Sequence, residues 1–247
     1  MTTLAVVLAA GQGTRLLPLT ADTPKCLLDV GGRPLLDRLL AALAAAGLTR
    51  AVVVTGHRAD RVDAFLAGTP PPLHVSTVRN AAYAATNNAA SLAAARLAIG
   101  AESFVLCDGD VIFSDSPLPA LLAAAEPCTL IVDRGASLAD EEMKVQVAAS
   151  GLITQLSKRL DPASCIGESI GVQKLGGPAL PRLWDEVEAV VRADAAAAYY
   201  EDVFQRLIDS GVRFGTSDVA TNGWMEIDDR ADLDAARRRF GDPTKQD

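Results

Sequence analysis

Aromatic residues make up only 4% of this 247-residue chain, so its core must be built mainly from Ala, Leu and Val. Histidine is nearly absent. His57 and His74 are the only two, and neither is placed with a Ser or Cys nucleophile, which argues against triad chemistry and leaves them ordinary surface roles. The four cysteines, Cys26, Cys107, Cys128 and Cys165, are scattered, with no CxxC pair and no neighbouring His. That pattern excludes a structural zinc site and fits reduced thiols in a cytoplasm. Positive charge is scarce: 23 Lys+Arg stand against 31 Asp+Glu, a net charge of -8. An acidic surface argues against nucleic acid or an anionic membrane as partner. No apolar run reaches the roughly 20 residues that span a bilayer, and the start Met1-Thr2-Thr3-Leu4 lacks the charged segment of a secretory signal. The expectation is a cytoplasmic chain without membrane insertion. Repeats, Pro-rich linkers and long charge blocks are also missing, so residues 1–240 read as one domain, with 241–247 a polar, frayed tail.

What remains is an alternation of strands and helices. Leu4-Ala10 is a continuous apolar run, as in a strand buried on both faces. The stretch 34–47 carries apolar residues at helical spacing and stops at Gly47. Strands at 51–56, 74–80 and 103–113 alternate with helices at 58–67 and 88–99, the last capped by Asn87 or Asn88. Such alternation implies right-handed crossovers and a mainly parallel sheet. After residue 128 the pattern changes. Strands are expected at 128–134, 143–147, 152–157 and 169–175, with AASG turning a hairpin between the second and third. Helices at 179–191 and 200–210, a short strand at 224–228 and a helix at 231–240 follow. The fold class is α/β: a mainly parallel mixed sheet flanked by helices, with a smaller hairpin-containing region.

The first strand runs into Gly11-Gln12-Gly13-Thr14-Arg15. Two glycines let the backbone approach phosphate oxygens and present successive N–H donors, and Arg15 adds a fixed fork of donors. Ten residues on, Thr23-Pro24-Lys25 offers a second cation. Lys25 is one of five lysines, with Lys144, Lys158, Lys174 and Lys245. Positions 11, 13 and 16 read Gly, Gly, Leu, which breaks the GxGxxG dinucleotide fingerprint, and no GxxxxGK[ST] P-loop is present. The whole string from Leu8 to Leu36, LAAGQGTRLLPLTADTPKCLLDVGGRPLL, instead resembles the signature of nucleoside-triphosphate transferases acting on sugar phosphates and related phosphates. That resemblance implies a Rossmann-like nucleotidyltransferase fold, with 1–127 the nucleotide-binding half and 128–240 the acceptor-binding half. It implies a reaction in which NTP and a phosphorylated acceptor give an NDP-linked acceptor and pyrophosphate. It puts Leu8, Ala9, Ala10, Gly11, Gly13 and Thr14 around the nucleotide, Arg15 on the triphosphate, and Lys25 near the α-phosphate and the acceptor phosphate. An acceptor already ionised at neutral pH requires no general base, in keeping with the missing triad.

Two apolar strands end in acid: Phe104-Val105-Leu106-Cys107-Asp108-Gly109-Asp110, and Trp224-Met225-Glu226-Ile227-Asp228-Asp229. Carboxylates at the C-terminal ends of parallel strands sit where open α/β sheets bind ligands. Mg²⁺ takes one or two carboxylates plus phosphate oxygens. Matched to the family pattern, Asp110 and Asp228 are the expected Mg²⁺ ligands, and Asp108 contacts the nucleotide side. The competing role for Asp228 and Asp229 is to cap the last helix.

The spacing Asn80-x-x-Tyr83-x-x-x-Asn87-Asn88-x-x-Ser91 resembles the phosphocholine cytidylyltransferase branch of the family. It implies CTP as donor, with these five residues around the base; uridylyl-, thymidylyl- or guanylyltransfer to a sugar 1-phosphate is the alternative. The likeness extends to Glu142-Met143-Lys144, Gly167-Glu168-Ser169-Ile170-Gly171 and Tyr200-Glu201-Asp202. The acceptor region is therefore expected to use Glu142, Lys144, Lys158, Glu168, Tyr200, Glu201 and Asp202. For the lysines the competing role is exposed strand positions, and for Glu201 and Asp202 a helix N-terminus. Where choline enzymes place an aromatic residue, this chain has Glu141-Glu142-Met143. The acceptor is left open among phosphocholine, inositol phosphate and aminoethylphosphonate, and a homodimer is left open too.

Overall fold

The computed structural model describes residues 2–241. The expected tail therefore lies, but for Gly241, outside the described residues. In chain order the elements are β1 (Leu4–Ala9), β2 (Asp29–Val30), β3 (Arg33–Pro34), α1 (Leu35–Ala45), β4 (Arg50–Thr55), α2 (Ala59–Gly68), β5 (His74–Arg79) and α3 (Asn88–Ile99). Then come β6 (Phe104–Asp108), β7 (Val111–Phe113), α4 (Leu118–Ala123), β8 (Cys128–Asp133), β9 (Lys144–Val147), β10 (Ile153–Ser157) and β11 (Gly167–Leu175). The chain closes with α5 (Ala179–Asp194), α6 (Tyr200–Asp209), β12 (Phe214–Asp218), β13 (Trp224–Glu226) and α7 (Arg230–Phe240).

Among the described residues one large sheet runs β10-β9-β11-β6-β1-β4-β5, and β8 pairs with β11 and β12. The β6-β1-β4-β5 portion is parallel, whereas β11 lies antiparallel to β6. Every residue of β1 is buried. Its alternate side chains enter two cores because successive strand residues point to opposite faces. Leu4, Val6 and Leu8 pack with α3, α5 and α6; Ala5, Val7 and Ala9 pack with α1 and α4. In α1, Leu36, Leu39, Leu40 and Leu43 supply that second core at the i, i+4 spacing the sequence displays, while Leu35 packs in a third cluster with Leu16, Val30 and Ile227. No helix among the described residues is long and apolar enough to cross a membrane.

Two expectations change. The single strand expected at 103–113 breaks in two, because at Gly109 the chain crosses tightly over β1. Gly109 N–H donates to Leu8 O at 2.9 Å, and a Cβ there would lie 2.7 Å from the same oxygen. β7 then leaves the main sheet and forms a ribbon with β13. The second surprise is β12, in 214–218, which joins β8 in parallel. Gly215, Thr216 and Ser217 hide its strand character from propensity, and burial of Phe214 and pairing decide it instead. The short α4 was likewise unmarked in the sequence pattern.

Candidate active site

The C-terminal ends of β1 and β6 open a cleft of about 230 Å³. Leu8, Ala10, Gly11, Tyr83, Asn87, Asn88, Ser91, Asp108 and Asp110 line it, together with Thr86 and Glu226. Ala9, Lys25 and Gly109 border the adjoining recess. Parallel strands leave this edge open because their crossovers carry the chain away over both faces.

The loop after β1 is shaped by Gly13. Its φ of +61° is a left-handed conformation, and a Cβ would lie 3.1 Å from Thr20 Cγ2 and 3.3 Å from Lys25 Cβ. Thr14 and Arg15 begin a 3₁₀ turn there. The buried Thr20 hydroxyl donates to Gly13 O at 2.7 Å, and His57 Nε2 lies 2.7 Å from Thr20 O. Thr20 and His57 thus brace the glycine loop from beneath, so His57 is not the plain surface residue expected. Nothing in the sequence marked either role, since both act through backbone oxygens.

Lys25 projects between the two acidic strand ends. Its Nζ donates to Asp110 Oδ2 at 2.6 Å and to Asp228 Oδ1 at 2.7 Å, while Arg15 pairs with Asp228 Oδ2 at 2.6 Å. Burial works against the lysine's charge, but the two carboxylates outweigh it and raise its pKa. Asp228 is likewise desolvated, yet Lys25 and Arg15 hold it below the ordinary range. The two terminal acids divide their tasks: Asp229 Oδ1 caps α7 by accepting from Ala231 N and Asp232 N at 2.7 and 3.0 Å, leaving the Asp228 carboxylate to Lys25 and Arg15.

Asp110, Glu226 and Asp228 each offer a carboxylate oxygen, and these lie within 4.8 Å of one another. Asp110 Oδ1 is buried without a hydrogen-bond partner. An all-oxygen donor set with an unpaired buried oxygen suits a hard divalent cation such as Mg²⁺. Glu226 was missed in the sequence, although it lies in the acidic strand two residues before Asp228, a spacing that puts both side chains on one face of an extended segment. Exposed at the cleft mouth but crowded by protein atoms, its carboxyl is pushed up to about 8 by desolvation and by Asp110 and Asp228.

Asp108, two residues before Asp110, is in a different setting. It accepts from the buried Tyr200 hydroxyl at 2.7 Å. Burial, then the charges of Asp110 and Glu201, raises its pKa well above the usual value. Gly171 of β11 abuts it: φ is +73°, and a Cβ would collide with Asp108 Oδ2. A side chain at 171 is thus excluded by the carboxyl group.

The 80–91 segment behaves less uniformly than expected. Asn87 Oδ1 accepts from Asn88 N at 2.8 Å, and Asn88 Oδ1 from Tyr200 N at 2.8 Å, so the pair joins α3 to α6 while facing the cleft. Asn80 turns inward. Its amide donates to Thr86 Oγ1 and Ser91 Oγ at 3.2 and 3.1 Å and accepts from Ala82 N at 3.0 Å. It shapes the segment and has no amide group left for a base edge. Gly56 permits this arrangement, since a Cβ would lie 2.6 Å from Tyr83 Cβ.

The acceptor expectations need the most correction. Lys144 is not an exposed or phosphate-facing lysine: it is buried, donating to Lys158 O at 2.6 Å and Glu142 O at 3.4 Å. Glu142 Oε2 accepts from Ala139 N at 2.6 Å within its own loop. Lys158 Nζ lies 3.3 Å from Glu141 Oε2 and over the Tyr199 ring at 5.7 Å. Tyr200 is buried with its hydroxyl committed to Asp108, not a wall of an aromatic cage. Asp202 Oδ2 accepts from Tyr199 N at 3.2 Å, closing the N-terminus of α6, and faces a separate cleft of about 680 Å³ between β10, α5 and α6. Glu168 and Glu201 do lie on the elements around Asp108. Burial, reinforced by Glu142 and Asp133, pushes Glu168 up to about 7, and burial pushes Glu201 up to about 7. Glu201 Oε2 has no hydrogen-bond partner.

Comparison with known proteins adds to this geometry. Residues 5–164 match the model of the MobA-like NTP transferase domain. The chain is 30% identical over 250 residues to the CMP-5′-(3-aminopropyl)phosphonate synthase of Streptomyces rubellomurinus, an alignment covering 98% of this chain and 39% of that protein. It is 36% identical over 113 residues to the 2-aminoethylphosphonate cytidylyltransferase of Lancefieldella rimae, covering 46% of this chain and 45% of the other. Each alignment thus spans less than half the length of the curated relative. Among solved structures, the CTP:phosphocholine cytidylyltransferase from Streptococcus pneumoniae superposes with a TM-score of 0.79 at 20% identity, covering 97% of this chain and all of the other. The inositol-1-phosphate CTP transferase from T. maritima gives 0.77 at 24%, covering 98% of each.

Proposed function

Since the chain belongs to the MobA-like NTP transferase family, we propose that it transfers CMP from CTP to a small amine-bearing phosphonate or phosphate, releasing pyrophosphate. The observation that carries this reading is Lys25 held between Asp110 and Asp228 at the strand ends, with Arg15 beside them. Both reactants are anionic, and this is where cations can offset their repulsion. An acceptor oxygen attacks the α-phosphorus, a new P–O bond forms, and the bond to the β-phosphate oxygen breaks with its electrons leaving on pyrophosphate. Arg15 and Lys25 bind and orient the triphosphate, and Lys25 faces the charge that develops on the phosphates. Asp110, Asp228 and Glu226 would hold Mg²⁺, which when bound supplies further neutralisation of phosphate charge. Asn87, Asn88 and Ser91 present amide and hydroxyl groups at the other side of the cleft, suited to the edge of a pyrimidine.

A surplus of acid supports an amine-bearing acceptor. Asp108, Glu168, Glu201 and Glu226 all have raised pKa values, chiefly through burial. An ammonium group brought by the acceptor would relieve that cost; a neutral sugar would not. Two relatives are named for aminopropyl- and aminoethylphosphonate, acceptors that bear an amine.

The test is pyrophosphate release from CTP, UTP, GTP and dTTP, each with 2-aminoethylphosphonate, 3-aminopropylphosphonate, phosphocholine, inositol 1-phosphate and glucose 1-phosphate. CTP with an aminoalkylphosphonate is expected to give the highest kcat/KM, at least about tenfold above UTP, a preference of ~1.4 kcal/mol. Highest turnover with UTP or dTTP and glucose 1-phosphate would overturn the reading in favour of sugar-nucleotide synthesis.

A further inference from the structure

The Lys25 ammonium is lodged in the acidic cluster where a divalent cation would bind. It spans one oxygen of Asp110 and one of Asp228, at 2.6 and 2.7 Å. The side chain of Lys25 is only 14% exposed, and Asp228 is engaged on its other oxygen by Arg15. A carboxylate oxygen bonded to an ammonium cannot at full strength also ligate a metal, because two cations would then share one site at contact distance. Asp110 Oδ1, buried and unpartnered, is the oxygen the lysine leaves unused.

We propose that Lys25 is a resident counter-ion: it neutralises the metal-binding carboxylates until metal and triphosphate arrive together. Lys25 then gives up Asp110 and Asp228 and turns its ammonium to the phosphates. This role rests on the nucleotidyltransferase reading and goes beyond it, because it predicts the order of binding. Without triphosphate the lysine competes with a divalent cation, so metal alone binds weakly. With triphosphate the ammonium has a second anionic partner, the competition is relieved, and the two ligands bind with positive coupling. Arg15, which is 61% exposed and holds only Asp228, contributes less to the competition. Conversely, the two carboxylates hold the lysine's ammonium at the cleft, so no cation must be recruited from solvent when the triphosphate binds.

The consequence runs against the usual effect of removing an active-site residue. Lys25→Met keeps the length and apolar stem of the side chain and deletes only the charge. It is expected to tighten binding of Mn²⁺ alone, with no nucleotide present, by at least tenfold, even as it impairs turnover. The measurement is titration of free Mn²⁺ by electron paramagnetic resonance with wild type, Lys25→Met, Lys25→Arg and the double variant Lys25→Met/Asp228→Asn. Lys25→Arg should stay as weak as wild type, since it keeps a cation between the carboxylates. The double variant should lose the gain, which ties the tightened site to Asp228. CTP should improve Mn²⁺ affinity of wild type more than that of Lys25→Met. Thermal melts of each variant establish that the folds compare. Equal or weaker Mn²⁺ binding by folded Lys25→Met would overturn the counter-ion role, as would a gain that survives Asp228→Asn. These titrations use no acceptor and no turnover, so failure of the CTP assay would sink the function while leaving this result standing, and the reverse also holds.

Discussion

Asp108 and Asp110 differ by two positions and one turn, yet their surroundings give them different chemistry. Asp108 ends β6 beneath Tyr200, with Gly171 against its carboxyl group, in a setting that favours the protonated form. Asp110 lies past the Gly109 crossing and meets Lys25 at 2.6 Å. Replacement by Asn tests the assignment. Asn at 108 keeps an oxygen able to accept from Tyr200, whereas Asn at 110 loses the charge a hard cation requires. Asp110→Asn is expected to lower kcat/KM by more than about 100-fold, and Asp108→Asn by about tenfold, the low end of the roughly 10–100-fold range for partners outside the metal's own ligands. Kinetics at saturating Mg²⁺ check this; the opposite ranking would mean that Asp108 is the ligand.

At the scale of elements, the cleft depends on the β7–β13 ribbon, which carries Glu226 and, just beyond it, Asp228. The ribbon is small, and its register is held by Trp224 opposite Phe113 and by Ile227 N donating to Asp110 O at 3.1 Å. It is tied to the main sheet by Asp133 at the end of β8. This buried carboxylate accepts from Trp224 Nε1 at 2.9 Å, Thr221 Oγ1 at 2.7 Å and Gly135 N at 2.9 Å. Burial alone would raise its pKa, but these donors win and lower it. Asp133→Ala would strand several donors at about 1–3 kcal/mol each when no water replaces the lost partner. Urea unfolding should register a loss of roughly 3 kcal/mol, and Trp224→Phe about 1 kcal/mol. A loss below about 0.5 kcal/mol for Asp133→Ala would mean that water satisfies the donors and the tie is weak.

For the whole molecule, the crowded carboxyl groups set the direction of the pH dependence. Glu168 and Glu201 are pushed up to about 7, chiefly by burial, from an ordinary value near 4.5. The folded chain therefore keeps these protons at pH values where the unfolded chain has released them. Stability from these groups is highest below about pH 4.5 and declines as pH rises through about 7. Asp133 and Asp228 have the opposite sign, but being held below the ordinary carboxylate range they lose stability only in stronger acid. Between pH 5.5 and 8 the melting temperature should fall, by about 2–4 °C for each kcal/mol lost at this chain length. Glu201→Gln should flatten the slope. A melting temperature that rises over this interval in calorimetry would show that the carboxyl groups are solvated in the folded chain.

The longer strands and helices of residues 4–99 were legible because local signals and tertiary needs coincide there. An apolar run such as Leu4–Ala9 can only be a strand buried on both faces, and the Leu35–Leu43 stripe can only face a core. The glycine loop, Arg15, Lys25, Asp110 and Asp228 were singled out in the sequence by its resemblance to the nucleotidyltransferase pattern. That these five come together is a matter of the fold: Lys25 and Asp228 are 203 residues apart and meet at 2.7 Å. Long-range pairing likewise made β12 a strand despite its small polar residues, and drew Glu226 into the acidic cluster. Burial decided the rest. A lysine in a strand reads the same whether it faces water or, like Lys144, backbone carbonyls. An asparagine after a strand reads the same whether it meets a ligand or, like Asn80, its own loop. Sequence spacing specifies which groups are present; only packing specifies which of their hydrogen bonds are already spent.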